Sequence, residues 1–238
     1  MHLPLFALPT DYSRIKQVGS FEELVGTPFA DGINALCWLR ELPGDFREIV
    51  DKLAVGKGIT PVDDARLLSL TLSEAGNKAR EVLLQDQQLL RSSDLAPVLE
   101  CINGYIQEEE SGPVPTHVQS FHVDSATVAT DTYLCTYYGA SSEGLPNEEA
   151  QRRVDIPETR AELLRQYGGE DDDEFQEYLS DHYYDLHYLP LPQAQPFSFG
   201  LGNLWRIAID YPGSPVPPCI HRAPATLADG PPRLLLLS

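Results

Sequence analysis

No stretch of this sequence stays apolar for the roughly 20 residues that a membrane-spanning helix needs, so a helical membrane protein is not expected. The start, "MHLPLFALPTDYSR", has no basic leader and only a short apolar run. That argues against a secretory signal and makes the cytoplasm the expected location. Positive charge is scarce. The 17 Lys and Arg stand against 36 Asp and Glu, for a formal net charge of −19. Such a surface repels phosphate backbones, so neither DNA nor RNA is an expected partner. It still admits a small anion held by a few buried arginines. Cysteine is sparse as well. Cys37, Cys101, Cys135 and Cys219 lie far apart with no C-x-x-C pair, which disfavours a zinc knuckle and fits reduced, buried thiols. No internal repeat is present.

What is there suits one domain of 238 residues with a sizeable core. The first 112 residues read as mainly helical support. Within them "ADGINALCWLREL" is the best buried-strand candidate, and residues 45–53 and 61–72 read as short helices. Ser73 can cap a helix to about Arg91, with Ala75, Ala79, Val82, Leu83 and Leu90 on one stripe. Asp94 can cap another, with Leu95, Val98, Leu99, Ile102 and Ile106 at helical spacing. The period then changes. Residues 114–123 and 131–138 read as strands rich in Val, Thr, Tyr and Phe. Residues 141–190 read as a helical insertion. It holds a D-x-x-E capping signature at Asp155 and Glu158, a stop at Gly168-Gly169, and an acidic helix in "EDDDEFQEYLSD". Prolines and glycines then bound three strand-length runs at 204–209, 218–222 and 233–237. Helices first and strands later predict an α+β fold, with helices on one face of a β-sandwich or small barrel.

The chemistry concentrates in "FHVD". His122 and Asp124 sit two apart at a strand end, so both side chains point to one face and can grip one ion. Two histidines and a carboxylate on one face of a metal leave positions open for substrate and oxygen, the usual non-haem Fe(II) arrangement. A third ligand has to come from elsewhere, and the sequence has six histidines. His2 is terminal, and His182 and His187 flank the acidic segment. His117 lies five residues from His122 and is expected on the other face of the same strand. His221 remains, in "PPCIHRAP", and Arg233 follows twelve positions later. On neighbouring antiparallel strands both would face one barrel mouth, where a guanidinium offers a bidentate fork to a carboxylate. The bland alternative is that His122 and Asp124 pair with each other or cap a turn, with His221 a satisfied core histidine.

The order H-x-D, distal His, then Arg resembles the jelly-roll iron(II)/2-oxoglutarate dioxygenases. "DTYLCTYY" resembles the strand after their H-x-D, and "GLGNLWRIAI" the strand before their distal histidine. The resemblance covers about 113–238. It implies a double-stranded β-helix core, iron on His122, Asp124 and His221, and a 2-oxoglutarate carboxylate on Arg233. It also makes Tyr133 a candidate for hydrogen bonding to 2-oxoglutarate, with a half-buried strand tyrosine as the alternative. "THVQSFHVDSATVATDTYLCTYYGASSEGLPNEEA" and "LGNLWRIAIDYPGSPVPPCIHRAP" further resemble a bacterial domain family of unknown function, some of whose members are encoded near zinc-homeostasis genes. That implies a link to metals and names no reaction.

Strand alternation adds other candidates. An inward Arg206 could bind a second carboxylate; otherwise it is an ion pair. Cys219 shares the face of His221, as a fourth ligand or as a small buried side chain. The acidic run is a solvated helix face or a hard-cation site. The insertion can lie over the site as a lid. The expected function is an iron(II)- and 2-oxoglutarate-dependent hydroxylase or demethylase, with its small-molecule or protein substrate unnamed. The alternatives are a jelly-roll protein that uses zinc or another divalent metal without 2-oxoglutarate, in enzyme or metal-handling roles, and a non-enzymatic acidic protein that binds a basic partner.

Overall fold

A computed structural model describes residues 6–105, 112–225 and 230–238. Among them the order is β1 (Ile15–Val18), α1 (Phe21–Gly26), β2 (Ala35–Trp38), α2 (Phe46–Leu53), β3 (Gly58–Pro61), α3 (Asp64–Ser69), α4 (Glu74–Arg91) and β4 (Val98–Asn103). It continues with β5 (Asp131–Tyr138), β6 (Glu143–Leu145), β7 (Ala150–Arg152), α5 (Pro157–Tyr167), α6 (Asp173–Asp181), β8 (Tyr188–Pro190), β9 (Phe197–Ser198), β10 (Leu204–Ala208), β11 (Ile220–Arg222) and β12 (Arg233–Leu237). The fold is mixed α+β. A seven-stranded sheet runs β1-β2-β10-β5-β12-β4-β3, antiparallel except where β1 meets β2. A second layer has the order β11-β6-β9. Residue 122 extends it, bridging His221 on one side and His187 on the other.

Strand alternation explains the layering. On β5, Tyr133, Cys135 and Tyr137 point into a core shared with Leu24, Ile49, Leu67 and Leu83 of α1 to α4. Leu134, with Trp205 and Ile207 of β10, points the other way, onto Phe197 and Cys219 of the second layer. The large sheet is therefore buried on both faces, by helices on one side and strands on the other. Apolar residues at every β5 position from 133 to 135 follow from that. No helix among the described residues is long and apolar enough to cross a membrane.

Local signals hold where side chains cap the backbone. The Ser73 hydroxyl accepts from the Gly76 N–H and opens the 18-residue α4, and the Asp45 carboxylate accepts from the Glu48 N–H to open α2. Glu48 in turn accepts from the Ser73 N–H at 2.8 Å, so the two helix starts are tied together. Pro157 begins α5 and the left-handed Gly168 ends it, but Asp155 does not cap it. Asp155 pairs with Arg152 at 3.3 Å instead.

Three expectations need correction. The first half is more than helical support, because β1 to β4 also supply four strands of the large sheet. The helix expected after Asp94 is a strand. Asp94 takes a left-handed φ of 59° just past α4, and β4 then pairs with β3 and β12 on its two sides. Val98, Leu99 and Ile102 fit either period, and pairing on both edges outweighs the local spacing; Ile106 lies outside the described residues. Residues 114–123 do not form one strand either. The backbone N–H groups of Gln119 and Ser120 both bond to His117 Nδ1 at 3.1 Å, which turns the chain. His117 is thus a turn residue and shares no strand with His122.

Candidate metal centre

His122, Asp124 and His221 converge. Each offers a ligand atom, and these atoms all lie within 4.8 Å of one another. Asp124 Oδ1 is 3.9 Å from His122 Nε2, and its Oδ2 is 3.7 Å from His221 Nε2. Ligands about 2.1 Å from one ion stand roughly 3.0–3.5 Å apart, so small side-chain rotations would close the set. Among the described residues this is the one group of its kind. The group can hold a metal ion.

Backbone pairing builds it. The N–H of His122 donates to the carbonyl of His221, and the N–H of His221 to that of His122, each at 2.9 Å. Two residues on, the carbonyl of Asp124 accepts from Asp210 at 2.8 Å. The loop that brings Asp124 to the site is therefore pinned at both ends. The rings are oriented in the same way. His122 Nδ1 lies 2.8 Å from the Ser120 carbonyl, and His221 Nδ1 lies 3.2 Å from that of Cys219. A carbonyl only accepts, so each Nδ1 carries the proton and each Nε2 turns its lone pair to the site. The Thr132 hydroxyl donates to Asp124 Oδ2 at 2.6 Å and fixes the carboxylate.

The electrostatics suit ligation. Burial, the neighbouring His221 and His117 push His122 down to about 4, so its ring is neutral at neutral pH, as a metal ligand must be. Burial alone would raise Asp124. His221, the Thr132 hydrogen bond and His122 outweigh it and hold the carboxyl below its usual range. His187, 3% exposed, stands against His122 with ring centroids 5.6 Å apart, and burial pushes it down to about 3. The two depressed rings make stability pH-dependent. Between about pH 6.5 and 4 the unfolded chain takes up protons on both rings that the folded chain refuses. Metal-free protein is therefore expected to lose stability as pH falls through that window, by up to about 1.4 kcal/mol per pH unit for each ring. Denaturant titrations at pH 7 and pH 5 check this. His187→Gln is expected to shrink the difference by roughly half, and an unchanged difference would count against it.

The three donors open into a cavity of about 370 Å³. Thr132 and Leu134 of β5, Ile59 of β3, Glu100 and Ile102 of β4, and Arg233, Leu235 and Leu237 of β12 line it. Arg233 is 3% exposed. Its Nη2 donates to Thr136 Oγ1 at 3.0 Å and to Ser142 Oγ, and its Nη1 lies 3.4 Å from Tyr105 Oη. Its buried Nε–H has no partner, and no carboxylate comes within ion-pair range of it among the described residues. Burial pulls its pKa below the usual value, against Tyr105 and Glu100. Gly139 lets the chain pass close by. Its φ is +86°, and a Cβ there would stand 2.9 Å from the Arg233 Cα. β11 and β12 are not the neighbouring antiparallel strands that the sequence led one to expect. They lie in opposite layers, and His221 and Arg233 face the cavity from the two sides.

Two expected co-substrate residues are elsewhere. Arg206 lies on the helical face of β10. It pairs with Asp131 at 2.7 Å and donates to the carbonyls of Leu24, Val25 and Thr27 at the end of α1. Nη1 secures the end of α1, and Nε and Nη2 are taken by Asp131, so the guanidinium is committed on the helical face, away from the cavity. Tyr133 lies on that same face, buried beneath the Arg206 guanidinium. The polar face of the strand, Thr132 and Thr136, is the one at the cavity. Cys219 is buried between the layers and its thiol is pushed up to about 12. It serves through its carbonyl and not as a ligand. His182 stacks on Tyr184 in the insertion, and His2 lies outside the described residues. Of the insertion, residues 141–190, only Ser142, at the very start, lines the cavity, and its helices α5 and α6 do not lie over it. Its end pairs beside His122 instead, through the Tyr188 N–H on the Phe121 carbonyl and the Val123 N–H on that of Leu186. The acidic run caps α6 through Asp172 and pairs Asp171 with Arg160, and it gathers no ion site.

Thr132, Thr136, Ser142 and Tyr105 are site residues that the sequence did not single out, and His187 stood out only as flanking the acidic segment. The threonines carried a signal, as the only small polar positions on an otherwise bulky strand. Ser142 and Tyr105 sit in loops without one. No family model matches this chain, and no curated protein matches it.

Proposed function

We propose that this protein is an iron(II)- and 2-oxoglutarate-dependent oxygenase on a jelly-roll core, akin to the dioxygenase superfamily its motif order resembles. One observation carries the reading: three metal-type donors and a buried arginine without a counter-ion open into the same cavity. A buried guanidinium left unpaired costs several kcal/mol, and an anionic ligand would offset that. The donor set of two imidazoles and one carboxylate suits Fe(II) and leaves positions open.

His122, Asp124 and His221 would hold the iron. Arg233 would take the far carboxylate of 2-oxoglutarate, its guanidinium already aimed by Thr136 and Ser142. Leu134, Leu235 and Leu237 present apolar wall around the polar groups and limit water there. Bound in this site, iron would couple oxidative decarboxylation of 2-oxoglutarate by O₂ to oxidation of a substrate C–H bond, one oxygen atom entering succinate and the other the product.

The strand order supports the jelly-roll part. β4, β12, β5 and β10 are adjacent in the large sheet; residue 122, β11, β6 and β9 are adjacent in the other layer. Followed from β4, the chain alternates between the layers except for the step from β6 to β9, which stays in the second one. That wrapping is what a jelly roll requires.

Succinate release from 2-oxoglutarate with added Fe(II) tests the reading. Arg233→Ala is expected to weaken 2-oxoglutarate binding at least 30-fold, the loss of about 2 kcal/mol or more from a buried charge-assisted contact. If 2-oxoglutarate neither binds nor turns over, the reading is wrong. Tight stoichiometric zinc in that case would mark a metal-handling protein.

A further inference from the structure

The cavity contains one charge that neither the metal site nor the anion site uses. Glu100 projects from β4 on the cavity face, opposite Leu235 in the register with β12. It is half-buried and makes no hydrogen bond or ion pair among the described residues. Burial raises its pKa and Arg233 opposes the rise. The cavity wall near it is aliphatic: Ile102 lies two residues on along β4, Leu235 pairs across from it on β12, and Ile59, Leu237 and Val118 line the same cavity. Ile59 is 50% exposed and Val118 44%, so this end of the cavity opens to solvent.

On the oxygenase reading, the charges at the other end cancel. A divalent ion and Arg233 balance Asp124 and a doubly charged 2-oxoglutarate. With Arg233 taken up by 2-oxoglutarate, Glu100 is left as a half-buried carboxylate without a partner of its own, and a cation that pairs with it there is favoured. We propose that the primary substrate is a small aliphatic cation. Its ammonium group sits on Glu100, and its alkyl chain lies against Ile59, Ile102 and Leu235. The net charge of −19 draws such a molecule to the protein and repels anionic competitors. A cavity of about 370 Å³ belongs to the small-molecule range, not to an extended polymer groove.

This inference rests on the oxygenase reading, and calorimetry separates the two. 2-Oxoglutarate is first titrated into anaerobic Fe(II)-loaded protein. Hexylammonium, hexanol and hexanoate are then titrated separately into the same protein. Hexylammonium is expected to bind at least tenfold more tightly than hexanol, with hexanoate weaker still. Glu100→Gln is expected to erase that preference, a melting curve first showing that the variant is folded. The preference within the native protein needs no variant. Equal binding of amine and alcohol, no amine binding, or unchanged amine affinity in Glu100→Gln overturns the proposal. If 2-oxoglutarate does not bind, the oxygenase reading falls. The amine preference, measured in metal-loaded protein, then decides the Glu100 site on its own.

Discussion

Asp124→Ala and His221→Ala are each expected to lower divalent-metal affinity about 100- to 1,000-fold. A four-ligand protein site releases roughly 10–16 kcal/mol on binding zinc, so one ligand accounts for about 2.5–4 kcal/mol. The three donors here are already aimed, by the Ser120 and Cys219 carbonyls and by the Thr132 hydroxyl. Little ordering cost remains to mask the loss. Thr132→Val, which frees the carboxylate without removing it, is expected to cost about 10- to 100-fold. His182→Ala lies in the insertion and is expected to leave affinity unchanged. Competition with a chromophoric chelator measures all four. Losses in Asp124→Ala and His221→Ala no larger than that in His182→Ala would show that these residues hold no ion.

Asp86→Ala is expected to destabilise the fold by about 3–5 kcal/mol, for a reason unrelated to metal. Asp86 is buried on α4 and takes both ends of the Arg40 guanidinium, at 2.7 and 2.9 Å. The Tyr137 hydroxyl donates to the same carboxylate at 2.6 Å. Burial pushes that phenol far above its ordinary value, so it stays a donor. Removing Asp86 strands a buried cation and a buried hydroxyl together. For a domain of this size, each kcal/mol lowers Tm by about 2–4 °C, so a drop of roughly 6–20 °C is expected. Urea titration gives the free energy directly. The exposed pair of Arg91 with Asp64 is the contrast, and Arg91→Ala is expected to cost no more than about 1 kcal/mol. Equal losses at the two sites would mean that the buried pair is not what anchors α4.

The candidate site was legible in sequence mainly where chemistry and period agree. H-x-D places two side chains on one face, and the shortage of histidines narrowed the third donor to His221. β5 could be read from its composition, and α4 from its Ser73 cap. Burial of the large sheet on both faces was much less legible. On β5 the bulky face, Tyr133 with Cys135 and Tyr137, packs on helices, and the threonine face holds the site. Expecting a tyrosine at the cavity inverted the two. Arg206 was misplaced for the same reason, because alternation gives two faces but not which of them the helices cover. β4 was lost because a six-residue strand with Val98, Leu99 and Ile102 satisfies helical spacing as well. Only its partners β3 and β12, distant in sequence, decide the matter. With β4 unread, Glu100 had no place in the cavity.

The most direct test joins the two halves of the site. 2-Oxoglutarate is titrated calorimetrically, without oxygen, into native protein with and without Fe(II), and into Fe(II)-loaded Arg233→Ala. Binding is expected in the native protein only when iron is present, and at least 30-fold weaker in the variant. Binding that ignores the metal, or no binding to the loaded native protein, would contradict a shared iron and 2-oxoglutarate site at His122, Asp124, His221 and Arg233.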